Sequence, residues 1–439
     1  MQSDKKKAGD ERVRQYAETL GRMIRTETVQ DNFHLFREQL RGLFPVLFSK
    51  AGYTEYDDSF TLRWAGQDPE QMPLLFMNHH DVVEAQGKWS HPPFSGEIAD
   101  GRLWGRGTLD DKGGLWAMLQ AAEELAAEGF RPQGDIWFFS ASTEESTGKG
   151  AAEGARRFAE AGIRFRACFD EGGFIVTEPV PGIREKFAMI GVGEKGCADL
   201  KFIARSSGGH ASVPARDSPL VRLGKFMAEA DKQHIFKAKM NSAVEEMLRV
   251  FAPYAGAQGA IMAKPQRYRA LLTWVLTGIS PRTAALLRTT VAFTMAKGSD
   301  GANVIPAEAW VTANMRYSHH QGQQGSFDAI RTLAEKYGLE MEVLDPGNPS
   351  GLSDFRGEGY RMAREAVEAV FPGVKAAPFL MTGASDSRFM DCVCDQCIRF
   401  LPFDVTDQQT ASIHGLDENV SIDNLVPAVE YYKFLIRKG

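Results

Sequence analysis

The sequence lacks the features that define several large protein classes. No apolar run approaches the roughly 20 residues that a membrane-spanning helix needs, and the charged segment Met1–Arg14 lacks the apolar core of a signal peptide. The five cysteines are an odd number in a chain of 439 residues and do not indicate a disulfide framework. A formal net charge of −6 argues against nucleic acid or an anionic membrane as a partner. These absences predict a cytoplasmic protein.

Three of the five cysteines, Cys392, Cys394 and Cys397, lie close together. Such a group can form a soft-metal or redox site. A structural zinc site needs four ligands, however, and the sequence has no second CxxC pair to complete one. We therefore favour a cysteine-rich segment near the core, and the metal or redox alternative stays open.

The length and the order of apolar segments predict an α/β protein of two domains. From Pro73 to Ala204 apolar runs alternate with amphipathic stretches, which indicates a largely parallel sheet. The predicted elements here are a strand from Leu74 leading to Val83, a helix over Gly113–Gly129, a strand over Ile136–Phe139, a helix over Ala151–Ala161 and a strand ending at Cys168-Phe169.

The middle of the chain has the order strand, helix, two strands, helix, strand, which is the ferredoxin-like βαββαβ order. We expect Ser326 to cap the second helix and Gly338 to end it. The other predicted elements are strands over Val192–Ala204, Val291–Ala296, Val304–Arg316 and Met341–Leu344, a helix over Ser218–Ala230, and a helical insertion at about 236–289. The α/β pattern returns near Tyr360 and ends in a helix over Leu425–Arg437. Residues 191–348 are thus predicted to form a smaller domain inserted between 1–190 and 349–439.

Five residues are candidate metal ligands because each lies in a short polar motif: His79, Asp110, Glu145, Asp170 and His414. His79 and Asp81 stand two residues apart, so on a strand they share a face. Asp81 can then accept the ring N–H of His79 and orient the other nitrogen toward a metal. Taken alone, the motif is more typical of two ordinary histidines at a strand end than of a metal ligand.

The loop from Gly105 to Gly114 has the glycine density of a phosphate-binding turn. Neither GxGxxG nor GxxxxGK[ST] is present, and the adjacent Asp110 and Asp111 would repel a phosphate. A cation fits better, and Asp110 can bridge two metals through its two oxygens.

Glu144 and Glu145 follow a predicted strand, where a glutamate pair is often only a solvated helix start. Beside a metal, one carboxylate can bind the ion while the other accepts a proton from water. The first four candidate ligands all lie at or near the ends of predicted strands, where ligands of open α/β sheets gather. Mixed histidine and carboxylate donors favour zinc, with Co²⁺ or Mn²⁺ as substitutes. The combined pattern predicts metal-assisted hydrolysis of an amide bond.

These motifs resemble the two-zinc aminoacylase/carboxypeptidase metallopeptidase family, which includes glutamate carboxypeptidase, acetylornithine deacetylase and succinyl-diaminopimelate desuccinylase. The resemblance covers nearly the whole chain and rests on His79-x-Asp81, the Gly105–Gly114 loop, Glu144-Glu145 and His414-Gly-x-x-Glu418. The stretches Trp104–Gly113 and Phe169–Gly173, with the helical insertion, are most similar to the branch of carboxypeptidase S and the N-fatty-acyl-amino-acid hydrolases.

The resemblance implies a role for each matched residue. Asp110 would bridge two Zn²⁺ ions per subunit, His79 and Asp170 would complete one site, and Glu145 and His414 the other. Glu144 would be the general base and then the acid, and Asp81 would support His79. The segment at His210 is similar to one that reaches the partner subunit's active site and stabilises the oxyanion. Asn303 and Arg316 would grip the substrate carboxylate, beside a glycine-rich loop containing Gly383 and Ser385.

The resemblance also implies a homodimer built through the inserted lid domain, acting on small peptides or N-acyl amino acids with a free carboxylate. One alternative is a narrow biosynthetic deacylase of the desuccinylase or deacetylase type. Another is a non-catalytic metal-binding relative. Thr143 stands where such proteins usually have an aspartate, which can alter the hydrogen bonds around Glu144.

Overall fold

A computed structural model describes residues 2–232 and 235–439, and in that part of the chain it contains four β-sheets. The strands are β1 (Gly52–Tyr56), β2 (Ser59–Trp64), β3 (Leu74–His79), β4 (Glu97–Ala99), β5 (Arg102–Trp104), β6 (Ile136–Ala141), β7 (Ala167–Thr177), β8 (Lys186–Glu194), β9 (Gly196–Arg205), β10 (Gly209–His210), β11 (Thr290–Lys297), β12 (Val304–Ile305), β13 (Glu308–Tyr317), β14 (Glu340–Asp345), β15 (Lys375–Met381), β16 (Cys397–Val405) and β17 (Asn419–Ser421).

The α-helices alternate with these strands over much of the chain. They are α1 (Gln2–Arg25), α2 (Phe33–Leu43), α3 (Pro45–Lys50), α4 (Lys112–Ala127), α5 (Lys149–Glu160), α6 (Pro219–Asp231), α7 (Ser242–Phe251), α8 (Gly259–Met262), α9 (Arg269–Ile279), α10 (Pro281–Ala285), α11 (Gly322–Lys336), α12 (Glu358–Val370), α13 (Asp407–Ser412) and α14 (Leu425–Ile436).

The largest sheet has eight strands in the order β1-β2-β6-β3-β7-β16-β8-β15. Its central neighbours β6, β3, β7 and β16 run parallel, whereas β1 and β2 add an antiparallel edge. Every residue of β3 is buried, as expected for a strand covered on both faces. Helix α4 is apolar around most of its circumference because it packs between α3, α14 and β3. This arrangement confirms the predicted α/β class with a largely parallel sheet.

A second, four-stranded sheet has the order β11-β13-β9-β14, with all neighbours antiparallel. Helices α6 and α11 pack on it, and their apolar residues form a core separate from that of the large sheet. With the chain order β9, α6, β11, β13, α11, β14, this is the predicted βαββαβ unit. The division into three residue ranges remains a prediction.

Several boundaries differ from the sequence prediction, among them one strand and one helix start. The strand predicted over Val192–Ala204 is the end of β8 followed by β9, because the chain leaves the large sheet and enters the small one at Lys195. Ser326 does not cap α11, which begins at Gly322. Ser326 is buried inside the helix, and its hydroxyl lies 3.1 Å from that of Thr289. Gly338 does follow the end of the helix, with a φ of 62°.

The helical segment predicted at about 236–289 contains helices α7 to α10. It packs on the edge of the large sheet, since its buried cluster includes Phe187 and Met189 of β8 and Ala377 of β15. Asn241 begins α7 by accepting the N–H of Val244 at 2.8 Å. The segment is therefore a helical layer at the β15 edge.

Among the described residues, no helix combines the length and the apolar character needed to cross a bilayer.

Candidate metal centre and active-site cleft

The candidate ligands come from loops that meet at one edge of the large sheet. His79 ends β3, and Glu144 and Glu145 follow β6, which runs parallel to β3 with His79 opposite Ala141. Parallel strands that end in register bring the residues after them together. Asp110 lies in the loop before α4, and His414 approaches from the segment after α13. The sheet thus gathers residues that are far apart in sequence.

Four of the five predicted ligands contact one another directly. His79 Nε2 lies 3.0 Å from Asp110 Oδ1, and His414 Nε2 lies 3.0 Å from Asp110 Oδ2. His414 Nε2 is also 3.0 Å from Glu145 Oε2. Each oxygen of the Asp110 carboxylate therefore contacts a different histidine, an arrangement compatible with a ligand shared by two metal ions. His79, Asp110 and Glu145 offer ligand atoms that all lie within 4.8 Å of one another.

Asp170 is buried beside this group but is placed differently from the prediction. It does not follow the end of a strand, because β7 continues to Thr177; only the pairing of β7 with β3 stops, at Phe169. Its Oδ2 accepts the N–H of Ser387 at 2.8 Å. Its Oδ1 is buried without a hydrogen-bond partner among the described residues. A buried carboxylate oxygen without a donor fits a metal ligand.

The electrostatics of the cluster favour a bound cation. Burial disfavours a charged His79 ring, but Asp110 and Asp81 outweigh burial and raise its pKa well above the ordinary value. Hydrogen bonds to Asp110 and Glu145 raise the pKa of His414 to about 10. Carboxylates that stabilise positive charge on two imidazole rings also suit a divalent metal ion, and the histidine and carboxylate donors match those of zinc sites.

The carboxylate of Glu144 is partly exposed and lies next to the candidate ligands. Burial and the nearby charges of Asp386, Glu145 and Asp110 raise its pKa well above that of an ordinary glutamate, against a smaller opposing effect of His79. A raised pKa makes a carboxylate a stronger base near neutral pH. Glu144 is thus chemically suited to accept a proton.

Asp81 contacts both His79 and the glutamate pair, and so helps to position all three residues. Its Oδ1 accepts the backbone N–H of Glu144 at 3.2 Å, and its Oδ2 accepts that of Glu145 at 3.0 Å. His79 Nδ1 lies 3.0 Å from the Asp81 backbone oxygen and 3.4 Å from its Oδ1. The sequence indicated only the contact with His79. The contact with the glutamates depends on the approach of the β3 and β6 loops.

His80 and Thr143, which stand next to His79 and Glu144 in the sequence, make contacts that support the fold. His80 faces away from the cluster, stacks on Phe36 and lies 2.8 Å from Ser140 Oγ through its Nδ1. Thr143 Oγ1 accepts the N–H of Gly150 at 2.9 Å, so its hydroxyl holds the start of α5 and is not bonded to Glu144.

Glu418 supports the loop that carries Asp110. It is fully buried, pairs with Arg106 at 2.7 Å and accepts the N–H groups of Gly107 and Leu109. The peptide bond after Asp110 is cis. In the sequence Glu418 stood out only as part of the His414 motif, and its link to a loop some three hundred residues away required the fold.

The cluster opens into a cleft of about 730 Å³ that the second sheet closes on its far side. Asp110, Glu144 and His414 line one end. Arg316 of β13 and Lys195, which joins β8 to β9, line the other. A carboxylate-rich centre and a guanidinium therefore face the same space within one chain.

Gly383 lines the cleft, whereas Ser385 forms its hydrogen bonds with buried protein groups. Ser385 is fully buried, and both its N–H and its hydroxyl donate to Glu194 Oε2 at 2.9 Å. Arg399, also buried, donates to the same Glu194 oxygen at 3.0 Å. This network fixes the loop that presents Gly383.

Arg388 is a cleft residue that sequence reasoning missed. Its Nη1 lies 3.8 Å from Glu144 Oε1 and donates to the Ser385 backbone oxygen at 2.6 Å. The sequence signal that could have found Arg388 is its place three residues after Ser385, in the glycine-rich loop predicted to lie beside the substrate. A basic side chain there can pair with the carboxylates of the centre.

His210 and Asn303 do not line the cleft of their own chain in the part that the structure describes. They lie together on an exposed two-stranded ribbon that is separate from the second sheet, where β10 pairs with β12 and places His210 opposite Val304. The backbone oxygen of Asn303 accepts the N–H of Ala211 at 2.9 Å. The sequence grouped Asn303 with Arg316, whereas the structure groups it with His210.

Two of the three neighbouring cysteines lie in a core, whereas Cys392 is exposed. Cys394 and Cys397 are buried with Cys168, which faces Cys397 in the register of β7 and β16. The described cysteines are all free, and they do not take part in a cluster of potential metal ligands.

An α/β sheet that gathers histidine and carboxylate donors near its strand ends, beside the partly exposed Glu144 carboxylate, defines a metal-dependent hydrolase. Residues 75–438 match the sequence model of Peptidase family M20/M25/M40. The chain belongs to this family of metallopeptidases, which confirms the resemblance and the prediction of an enzyme.

Similar proteins agree with this assignment. The chain is 30% identical over 414 residues to the human N-fatty-acyl-amino acid synthase/hydrolase PM20D1, covering 92% of this chain and 82% of that protein. It is also 30% identical over 422 residues to the probable carboxypeptidase S-like 2 of Dictyostelium discoideum, covering 93% and 80%. In fold it is similar to the M20 family metallo-carboxypeptidase Sso-CP2 from Sulfolobus solfataricus, with a TM-score of 0.71, 15% identity, and coverage of 96% and 98%.

Proposed function

We propose that the protein hydrolyses the amide bond of peptides or N-acyl amino acids that carry a free C-terminal carboxylate, and so releases an amino acid. The observation that carries this proposal is the single cleft lined by the Asp110 cluster, Glu144 and Arg316. Two relatives support it by name, as an N-fatty-acyl-amino acid synthase/hydrolase and a probable carboxypeptidase S-like protein.

The metal centre is proposed to hold two Zn²⁺ ions, with Co²⁺ or Mn²⁺ as substitutes. Asp110 would be shared, His79 and Asp170 would hold one ion, and Glu145 and His414 the other. When bound, the ions would polarise the scissile carbonyl and lower the pKa of water to about 7. Two observations support this assignment: each carboxylate oxygen of Asp110 lies 3.0 Å from a histidine nitrogen, and the Oδ1 of Asp170 has no hydrogen-bond partner among the described residues.

The protein side chains supply the proton transfers and the orientation of the substrate. Glu144 would accept a proton from the attacking water and deliver it to the leaving amine. Asp81 keeps this carboxylate in place through the backbone of Glu144. Arg316 would bind the substrate carboxylate with two hydrogen bonds, next to the backbone at Gly383. The carboxylate contact would select substrates that end in a free acid.

The active species is proposed to be a homodimer built through the second sheet, with residues 191–348 as the lid and dimerisation domain. The partner subunit's His210 would donate a hydrogen bond to the developing oxyanion, and Asn303 would reach the same cleft. The exposed ribbon that carries both residues, away from their own cleft, supports this arrangement.

We also propose a cytoplasmic location, since the described cysteines are free and three of them are packed in a core. The expected binding partners are the small substrate and a second copy of the chain. We propose no nucleic-acid partner, because acidic residues outnumber basic ones.

The decisive experiment measures amino-acid release by the zinc-loaded protein from dipeptides and from short- and long-chain N-acyl amino acids. Glu144→Gln is the matched variant because it removes the base and keeps the size and the metal ligands. Release by the wild type and not by Glu144→Gln supports the proposal, and the preferred substrate identifies the acyl group. Release from succinyl or acetyl substrates alone favours the narrow deacylase. Zinc binding without any turnover favours a non-catalytic relative.

A further inference from the structure

The helical layer at the β15 edge has a charge opposite to that of the whole chain. From Met247 to Ser299 the sequence has seven basic residues and no acidic one. The chain average of 57 acidic residues in 439 would give about seven in a segment of this length. The net charge of −6 is therefore an average that conceals a basic region.

Helix α9 in this region exposes an apolar face. Between Leu271 and Ile279 the helix has no charged residue. Four large apolar side chains on its outer face are exposed, with relative accessibilities of 44% for Leu271, 74% for Trp274, 36% for Val275 and 43% for Ile279. Their spacing of three and four residues places them along one stripe. A contiguous apolar stripe with an exposed tryptophan at its centre is typical of an interaction surface.

The opposite face of α9 is anchored in the protein, so the exposed stripe belongs to a rigid element. Leu272 and Leu276 are buried in the cluster that includes Phe251. Arg269 at the start of the helix pairs with the buried Glu245 at 2.6 Å. The stripe therefore cannot turn inward without the loss of this core.

Basic residues flank the stripe in the sequence. Lys264 and Arg267 precede α9, and Arg282 lies in α10, which packs against it. All three are exposed. Apolar and aromatic residues flanked by cations are the composition of helices that lie in the interface of an anionic bilayer. With 11 residues, α9 is too short to span a membrane and has the length to lie on one.

We propose that α9 and its flanking cations dock the protein reversibly on the surface of an anionic lipid bilayer. Trp274 and Leu271 insert at the level of the headgroups, and Lys264, Arg267 and Arg282 contact lipid phosphates. The charge complementarity selects this partner over a neutral surface. A cytoplasmic protein would meet such lipids on the inner leaflet. The inference does not depend on the proposed reaction, since these residues do not line the cleft.

The test is cosedimentation of the full-length protein with two kinds of vesicle, one of phosphatidylcholine alone and one with a one-third fraction of phosphatidylglycerol. We expect binding to the anionic vesicles that weakens as salt rises. Trp274→Ser with Leu271→Ser should lower the partition coefficient by about tenfold or more, because the buried apolar area is lost. Neutralising Lys264 and Arg267 to Gln should lower it by about fivefold for each charge.

Matched controls are Leu35→Ser and Met72→Ser, which remove exposed apolar side chains elsewhere, each with a relative accessibility of 48%, and should leave vesicle binding unchanged. All variants should keep the wild-type Tm and the wild-type turnover of a soluble substrate. Equal binding to both vesicle types, or binding unaffected by Trp274→Ser, would overturn the proposal. It would also be overturned if Trp274→Ser changed the oligomeric mass in sedimentation and vesicles were not bound, since the stripe would then join two copies of the chain.

Discussion

Among single residues, Arg316 is the one proposed to select substrates with a free carboxylate. It lines the cleft together with Glu144, and its Nε donates to Asn314 Oδ1 at 3.0 Å. Among the described residues its terminal nitrogens have no hydrogen-bond partner, so they are available to bind a ligand. A guanidinium binds a carboxylate through two parallel hydrogen bonds, and an ammonium cannot reproduce that geometry.

Replacing Arg316 should therefore weaken selection for the free carboxylate. We expect Arg316→Ala to lower kcat/KM by about a hundredfold, since two hydrogen bonds to a charged group contribute about 1.5 kcal/mol each. Arg316→Lys should recover only part of the loss. The control is the C-terminal amide of the same substrate, on which wild type and variants should be equally slow. A hundredfold loss on the amide as well would mean that Arg316 supports the fold and not the specificity.

Lys195 links the two sheets and carries a buried amine. Its Nζ donates to the Arg288 backbone oxygen at 2.9 Å and to Thr290 Oγ1 at 3.0 Å. Burial, with the nearby charges of Arg316 and Arg288, lowers its pKa to about 7. Between about pH 7 and the ordinary lysine value of 10.5, the unfolded chain binds a proton here that the folded protein does not.

Stability should accordingly rise with pH above 7 through Lys195. The expected contribution to the free energy of unfolding is at most about 1.4 kcal/mol per pH unit. Chemical denaturation of wild type and Lys195→Met at pH 7 and pH 9 measures it, and the variant should lack this part of the rise. Lys186→Met, at an exposed site, should keep the wild-type slope. An unchanged slope in Lys195→Met would show that the buried amine keeps an ordinary pKa.

Among the structural elements, the Asp110 loop depends on a contact from the far end of the chain. Glu418 and Arg106 are both buried and lie 2.7 Å apart, and Glu418 also accepts three N–H groups of the loop, at Gly107, Leu109 and Asp110. Removing one partner of such a pair leaves the other charge buried without compensation.

Glu418→Gln should therefore lower the free energy of unfolding by about 3–5 kcal/mol and reduce metal binding, because Asp110 loses its support. Denaturant titration and metal content measure the two effects. The comparison variant is Glu160→Gln, which removes an exposed partner of Arg156 and should leave both quantities unchanged. A stable Glu418→Gln protein with full metal content would show that the loop holds its shape without this contact.

For the whole molecule, the metal centre should connect the elements that supply its ligands. His79, Glu145 and His414 come from three segments that are far apart in the sequence, so a bound ion would tie β3, β6 and the C-terminal segment together. Ligands that bind only the folded state stabilise it, by about 2.7 kcal/mol when the free ligand exceeds its Kd a hundredfold.

Removing metal with a chelator should lower Tm, and added Zn²⁺ should restore it. Asp110→Asn should lose most of the shift because its carboxylate is proposed to be shared by both ions, whereas Glu144→Gln should keep the shift and lose only turnover. Differential scanning calorimetry with and without Zn²⁺ distinguishes the two variants. A Tm that is indifferent to the chelator in the wild type would contradict a metal centre built from these loops.

Much of the secondary structure of this protein can be predicted from local sequence, because strands, helices and their order follow from short-range patterns. The apolar run at Leu74, the spacing in Gly113–Gly129 and the βαββαβ order each predict the observed elements. The ligand motifs are also local, so His79 and Asp110 stand out without a structure. Errors such as the one at Ser326 arise where a long-range contact, here with Thr289, replaces the local preference.

Only the tertiary structure determines which side chains contact one another across the sequence and which are exposed. It showed that Asp81 holds the glutamate pair, that Glu418 supports Asp110, and that Ser385 is used inside the protein. It separated Asn303 from Arg316 and exposed the apolar stripe at Trp274. The physical reason is the range of the interactions. Backbone preference and hydrophobic periodicity act within a few residues, whereas metal ligation, buried ion pairs and exposure are set by segments that only folding brings together.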